Sequence, residues 1–136
     1  MKLNHLNLTV TDVVEAEKFL KKYFGLRNER GDRENRNMAV LFDDDGLVLT
    51  LMRAGWPPAP KRAAPGSDDQ EENAPPPGVQ YPGNFHIGFI QESEEQVNEI
   101  NRRLKADGFA VDPPQRSHAW TFYVQAPGGF MVEVLA

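Results

Sequence analysis

Ala126-Pro127-Gly128-Gly129-Phe130-Met131-Val132-Glu133-Val134-Leu135-Ala136 decides how the rest of the chain is read. Pro-Gly-Gly is turn chemistry, and the alternation after it is that of a strand. Glu133 breaks the pattern, because it is a carboxylate in an apolar strand. Burying such a group without a partner costs several kcal/mol, roughly, so donors or a cation should stand beside it. The turn also fixes what lies before it. His118 to Gln125 is expected as the other arm of a hairpin closed at Ala126–Gly129.

Working upstream, Phe109 to Val111 is expected as a short strand. Ser93-Glu94-Glu95-Gln96 is a capping box, and Val97, Ile100 and Leu104 recur at helical spacing. A helix over 94–106 ended by Gly108 follows. Asn84 to Ile90 alternates, with Phe85, Ile87 and Phe89 on one face and His86, Gly88 and Ile90 on the other.

The first part of the chain runs through the same order of signals. Leu3 to Val10 alternates, with Leu6, Leu8 and Val10 on one face and Leu3, His5, Asn7 and Thr9 on the other. Asp12 and Glu15 begin a helix over 13–24 carried by Val13, Ala16, Phe19, Leu20, Tyr23 and Phe24, and Gly25 caps it. Leu26 to Arg30 is expected as a short strand. Asn37 to Phe42 and Leu47 to Arg53 are expected as a hairpin across Asp43-Asp44-Asp45-Gly46. Superposing the two halves pairs His5 with His86, Asp12 with Ser93, Gly25 with Gly108, Gly46 with Gly129, and Thr50 with Glu133. An internal repeat of one strand–helix–strand–strand–strand unit is the reading, and repeats dominate fold assignment. Residues 1–54 form the first βαβββ module and 84–136 the second. Residues 55–83 are rich in proline, glycine and acids, without periodicity, and are expected as a linker or a lid with Trp56 and Tyr81 at its ends.

The 136 residues fit a single α+β domain, and the net charge of −5 with no basic tract argues against nucleic acid or an anionic membrane as partner. With no cysteine, disulfides and thiolate metal sites are excluded. No apolar run approaches the roughly 20 residues of a membrane span. Met1 to His5 leads almost directly into a strand, so no signal peptide is expected, and a cytoplasmic location follows as an expectation.

The repeat places His5 and His86 at matching positions on the faces away from the helices, with Glu133 on the face of Met131 and Leu135. If the two modules pair, these faces line one concavity. Two imidazoles and one carboxylate with open positions make a catalytic type of metal set, suited to iron(II), manganese(II) or zinc(II). Asn7 and Thr9 share the His5 face and are candidates for orienting a ligand. Trp120 is a candidate for core or pocket wall and for touching substrate, and Arg116 a candidate for holding an anionic substrate.

HLNLTV at 5–10, FHIGF at 85–89, and FYVQAPGGFMVEV at 122–134 together resemble the vicinal oxygen chelate superfamily, the glyoxalase, bleomycin resistance and extradiol dioxygenase proteins. The resemblance covers the chain outside 55–83. It implies paired βαβββ modules forming a cupped mixed sheet with helices outside, a divalent metal held by His5, His86 and Glu133, a small-molecule substrate, and a homodimer whose site either lies within one chain or is shared by two. Glyoxalase I has a fourth, carboxylate ligand where this chain has Thr50, so Thr50 is expected to face substrate and a glutathione-dependent lyase is disfavoured. The run from Tyr123 to Glu133 resembles the end of the extradiol dioxygenase signature, which implies a catalytic role for Tyr123 and, at shortened spacing, for His118. An extradiol-type dioxygenase is therefore the first expectation. A lyase, isomerase or epimerase of the same superfamily is the second, and a non-catalytic bleomycin-type antibiotic-binding protein is the reading from another class.

Overall fold

The computed structural model describes residues 1–31, 33–57 and 78–136. Along them run β1 (His5–Val10), α1 (Val13–Phe24), β2 (Met38–Phe42), β3 (Val48–Arg53), β4 (Ile87–Ile90), α2 (Glu94–Ala106), β5 (Gln115–Arg116), β6 (Trp120–Ala126) and β7 (Phe130–Leu135). The expected linker or lid over 55–83 falls mostly at 58–77, outside the described residues.

Both helices start where their caps put them. The Asp12 carboxylate accepts from the Glu15 amide at 3.0 Å, and the Ser93 hydroxyl from the Gln96 amide at 3.3 Å. Gly25 closes α1 in the left-handed conformation at φ 68°. One stripe of each helix is buried. Val13, Ala16, Phe19 and Leu20 of α1 join Leu8, Val10, Leu41, Leu49 and Leu51 in the core, and Val97, Ile100 and Leu104 of α2 join Phe122, Val124, Val132 and Val134. Each of these side chains larger than Ala16 contributes about 1.5–3 kcal/mol by leaving water.

The same connectivity occurs twice. In one sheet of order β1-β3-β2, β1 runs parallel to β3 and β2 antiparallel to it. In the other, of order β4-β7-β6-β5, β4 runs parallel to β7 and β6 antiparallel to it. The registers agree with the repeat: Asn7 lies across from Thr50, and Gly88 from Glu133. Each sheet carries its helix on one face, so His5, Asn7, Thr9 and Thr50 lie on the open face of the first, and Thr121, Tyr123 and Glu133 on that of the second. The fold is the expected α+β arrangement, built here as two small mixed sheets with two helices.

Two short strands differ from expectation. Leu26 to Arg30 makes only an isolated bridge, Arg27 to Phe42. Beyond it Arg30 turns inward to the buried Glu17 at 3.0 Å and donates to the Met38 carbonyl at 2.9 Å. Satisfying a buried carboxylate outweighs extending the ladder. Phe109 to Val111 forms no strand. Phe109 instead sits against Phe19 and Tyr23, with ring centroids 5.4 and 5.8 Å away, and its amide bonds Leu104 at the end of α2. The outer strand is displaced to Gln115–Arg116.

Contacts across the repeat are aromatic and polar. Phe24 of α1 stacks on Phe89 of β4 at 4.2 Å, and Tyr23 donates to Asp107. The Thr11 amide bonds the Gly128 carbonyl at 3.0 Å. Tyr81 holds the edge of β1: its hydroxyl donates to the Thr9 carbonyl and accepts from the Thr9 amide, both at 2.9 Å.

Candidate metal and substrate site

Glu133 is the centre of the site, and it is only 5% exposed. Alternation in β7 sends Phe130, Val132 and Val134 to the helix side and Glu133 to the open face, so the strand cannot hide the carboxylate in the core without flipping every neighbour. Three side chains meet Oε1: the Tyr123 hydroxyl at 2.8 Å, His118 Nε2 at 2.9 Å and the Thr121 hydroxyl at 3.0 Å. The Thr121 hydroxyl also lies 2.9 Å from the Val134 carbonyl, and it has one proton for the two acceptors. Oε2 faces a different neighbour, His86 Nε2 at 3.2 Å.

These contacts set the protonation of the cluster. Burial is the largest influence on the Glu133 carboxyl and works to raise it. Donation from Tyr123 and Thr121, with His118 and His86 nearby, outweighs burial and holds it below the usual carboxylate range. The Tyr123 phenol is pushed up, first by its bond to Glu133 and then by desolvation, so it stays protonated.

His86 lies one residue before β4 and stands between two acceptors. Its Nδ1 is 3.1 Å from the Asn84 carbonyl, which can only accept, so Nδ1 carries a hydrogen. In the neutral ring Nε2 then presents a lone pair toward the carboxylate oxygen 3.2 Å away. That arrangement calls for a cation between them, a second proton or a metal ion. A backbone carbonyl bracing Nδ1 while Nε2 faces the ligand position is the usual support of a metal-binding imidazole. His5, in the other sheet, has its Nδ1 3.2 Å from the Asn4 side-chain Oδ1.

The other candidates are distributed as follows. His118 lies in the turn before β6, where the Ser117 amide bonds the Ala119 carbonyl at 2.9 Å, and reaches back to Glu133. His5, Asn7, Thr9 and Thr50 belong to the first sheet, and the chain does not bring His5 to the His86–Glu133 pair: among the described residues no three His, Asp or Glu side chains stand together ready to hold a metal ion. Trp120 and Arg116 lie on the helix side. The Trp120 indole donates to Asn98 of α2 at 2.9 Å, and Arg116 pairs with Glu94 of α2 while its guanidinium covers the Trp120 ring at 5.4 Å. Thr121 and the Asn84 carbonyl are site groups that sequence reasoning missed. Period-two alternation from Tyr123 was the available signal for Thr121.

The family model described as the Glyoxalase/Bleomycin resistance protein/Dioxygenase superfamily matches residues 2–134. The chain belongs to this superfamily. A structure described as a possible glyoxalase from Bacillus cereus is 48% identical, with a TM-score of 0.76, covering 100% of this chain and 99% of that one. Two more distant structures share the fold. Lactoylglutathione lyase from Agrobacterium tumefaciens is 20% identical, with a TM-score of 0.65 and coverage of 98% and 92%. The fosfomycin resistance protein FosX from Listeria monocytogenes, complexed with Mn(II) and sulfate, is 19% identical, with a TM-score of 0.68 and coverage of 99% and 89%. No curated protein matches the chain. On the open face of the second sheet Glu133, His86, Tyr123 and His118 converge. No helix among the described residues is long and apolar enough to cross a membrane.

Proposed function

We propose that this superfamily member is a divalent-metal-dependent enzyme acting on a small organic substrate with two adjacent oxygens. The observation that carries the reading is His86, braced at Nδ1 by the Asn84 carbonyl with Nε2 turned to Glu133 Oε2. His86 and Glu133 would supply two ligands and His5 the third. When bound, the metal would act as a Lewis acid on the substrate oxygens and stabilise developing negative charge. Glu133 holds a fixed negative charge, its Oε1 occupied by donors and its Oε2 turned to the ligand position. Tyr123 donates a hydrogen bond to Glu133 Oε1 and keeps its proton. His5 would come from a second copy of the chain, with Asn7, Thr9 and Thr50 of that copy facing the substrate. Supporting this, the open faces leave apolar side chains toward solvent, with Ile90 78% exposed and Met52, Val40 and Met131 half-buried.

Proton transfer next to a carbonyl, as in a lyase, isomerase or epimerase, is the first reading, supported by the 48% identity to a structure described as a possible glyoxalase. Catechol ring cleavage is the second reading, favoured by the ten-residue spacing from Tyr123 to Glu133. A bleomycin-type binder would need neither His86 nor Glu133.

Elemental analysis of purified protein, then titration of the metal-free form with Mn(II), Fe(II) or Zn(II), tests the reading. One ion per Glu133 is expected, with binding lost in His86→Ala, Glu133→Gln and His5→Ala. Mixing the His5→Ala and Glu133→Gln proteins should restore about a quarter of the sites if two chains share them and subunits exchange at random; no recovery despite exchange places His5 elsewhere. Oxygen uptake with catechols in the Fe(II) form separates ring cleavage from isomerisation. Full retention of metal by Glu133→Gln would end the metal assignment.

A further inference from the structure

We infer that His118 is a positioning residue for Glu133: it fixes Oε1 so that Oε2 alone is left for the ligand position. The inference rests on the metal reading above. A carboxylate oxygen accepts two good hydrogen bonds in its plane. On Oε1 those two come from the Tyr123 hydroxyl at 2.8 Å and the Thr121 hydroxyl at 3.0 Å, and His118 Nε2 closes the remaining approach to the same oxygen at 2.9 Å. Oε2, by contrast, faces only His86 among the described residues. The two imidazoles therefore reach different oxygens of one carboxylate, and they differ in bracing. His86 has its Nδ1 held by the Asn84 carbonyl and its Nε2 toward Oε2, whereas His118 sets its Nε2 against Oε1 at 2.9 Å.

The hairpin that carries His118 is fixed from the helix side. Arg116 pairs with Glu94, its guanidinium lies over Trp120, and the Trp120 indole bonds Asn98. The shortened spacing from His118 to Tyr123, and the placement of Arg116 and Trp120 against α2, belong to one arrangement. The tight turn at Ser117–Ala119 lets a histidine outside the strand reach Glu133 diagonally. With its side chain 57% exposed, His118 contributes little to the core.

The experiment is calorimetric titration of the metal-free wild type, His118→Ala, His118→Gln and Glu133→Gln with Mn(II), together with the visible spectrum of each Co(II) form. A glutamine amide can still donate to Oε1. Expected are a 10- to 100-fold loss of Mn(II) affinity in His118→Ala, roughly the range for groups that orient a ligand, and recovery of most of it in His118→Gln. The apo melting temperatures should stay close and the Co(II) band pattern should be unchanged. Wild-type affinity in His118→Ala overturns the inference while leaving the metal reading intact. Equal weakness of both His118 variants with an altered Co(II) spectrum also overturns it, making His118 a ligand. A wild type that takes up no ion overturns the metal reading and the inference with it.

Discussion

Tyr123 and Glu133 face one another across the β6–β7 ladder, and the phenol donates to Glu133 Oε1 at 2.8 Å. The direct cross-strand register makes this contact, so it exists before any ligand arrives. Tyr123→Phe keeps the ring beside His86, whose centroid is 5.5 Å away, and removes one donor. The expected cost is about 1 kcal/mol in urea unfolding. The Glu133 carboxyl should also rise toward its ordinary value, because donation from Tyr123 is the strongest of the influences holding it down. Titration of the Glu133 side-chain carbon by NMR reads that change. An unmoved carboxyl would mean that the hydroxyl does not donate to it in solution.

The pH dependence of stability follows from two carboxylates held below their unfolded values. For Glu133 burial works to raise the value and is outweighed by Tyr123, Thr121 and the two histidines. For Asp107 the Tyr23 hydroxyl lowers it most, then Lys22. A lowered folded value means that the folded state releases its proton more readily than the unfolded chain. The contribution is therefore complete above the unfolded value of about 4, and is lost as pH falls through the folded one. Urea midpoints should be flat on this account near neutrality and decline below about pH 5. Glu133→Gln and Tyr23→Phe should each remove a part of that decline, and the two parts should add, since the groups share no partner. Acid limbs identical to wild type in both variants would refute the assignment.

Phe24 and Phe89 stack at 4.2 Å with ring planes 14° apart, one from α1 and one from β4. This contact joins elements that belong to different halves of the repeat. A double-mutant cycle with leucine at each position should give a coupling of about 0.5–1.5 kcal/mol. Coupling near zero would mean that the halves unfold independently at this surface.

Both helices were legible because capping residues and apolar period agree: Asp12 with Gly25, and Ser93 with the stripe at Val97, Ile100 and Leu104. The repeat was legible for the same reason, and the registers of Thr50 and Glu133 repeat its pairing. The outer strands were not. A strand of two residues such as Gln115–Arg116 has no period to read, and the path of Leu26 to Arg30 is set by Glu17, eleven to thirteen positions away from its partners Asn28 and Arg30. Glu133 was identified by its misfit in an apolar strand. That criterion cannot say which groups satisfy it, because Thr121 and His118 reach it across a ladder. Trp120 was open between core and pocket wall, because residue type alone does not decide its face. Its parity in β6 sends it to Asn98 on α2, opposite to Tyr123.

Gly128 and Gly129 occupy the β6–β7 turn, and they should behave differently. Both have positive φ, 99° and 96°, so alanine strains the backbone at either by about 1 kcal/mol. At Gly128 the added carbon would also lie 2.9 Å from Val10 Cβ and 3.4 Å from Ala16 Cβ, in the fully buried start of the first half of the chain. At Gly129 it would meet Val79 at 3.6 Å, an ordinary contact. Relieving the first clash requires moving the turn away from β1, which would stretch the 3.0 Å bond from the Thr11 amide to the Gly128 carbonyl. Overpacking of this kind adds about 1–3 kcal/mol. Gly128→Ala should therefore cost roughly 2–4 kcal/mol in urea unfolding and Gly129→Ala about 1. Exchange of the Thr11 amide should quicken in Gly128→Ala alone. Equal costs at the two positions, with Thr11 exchange unchanged, would show that the β6–β7 turn does not rest on β1 in solution.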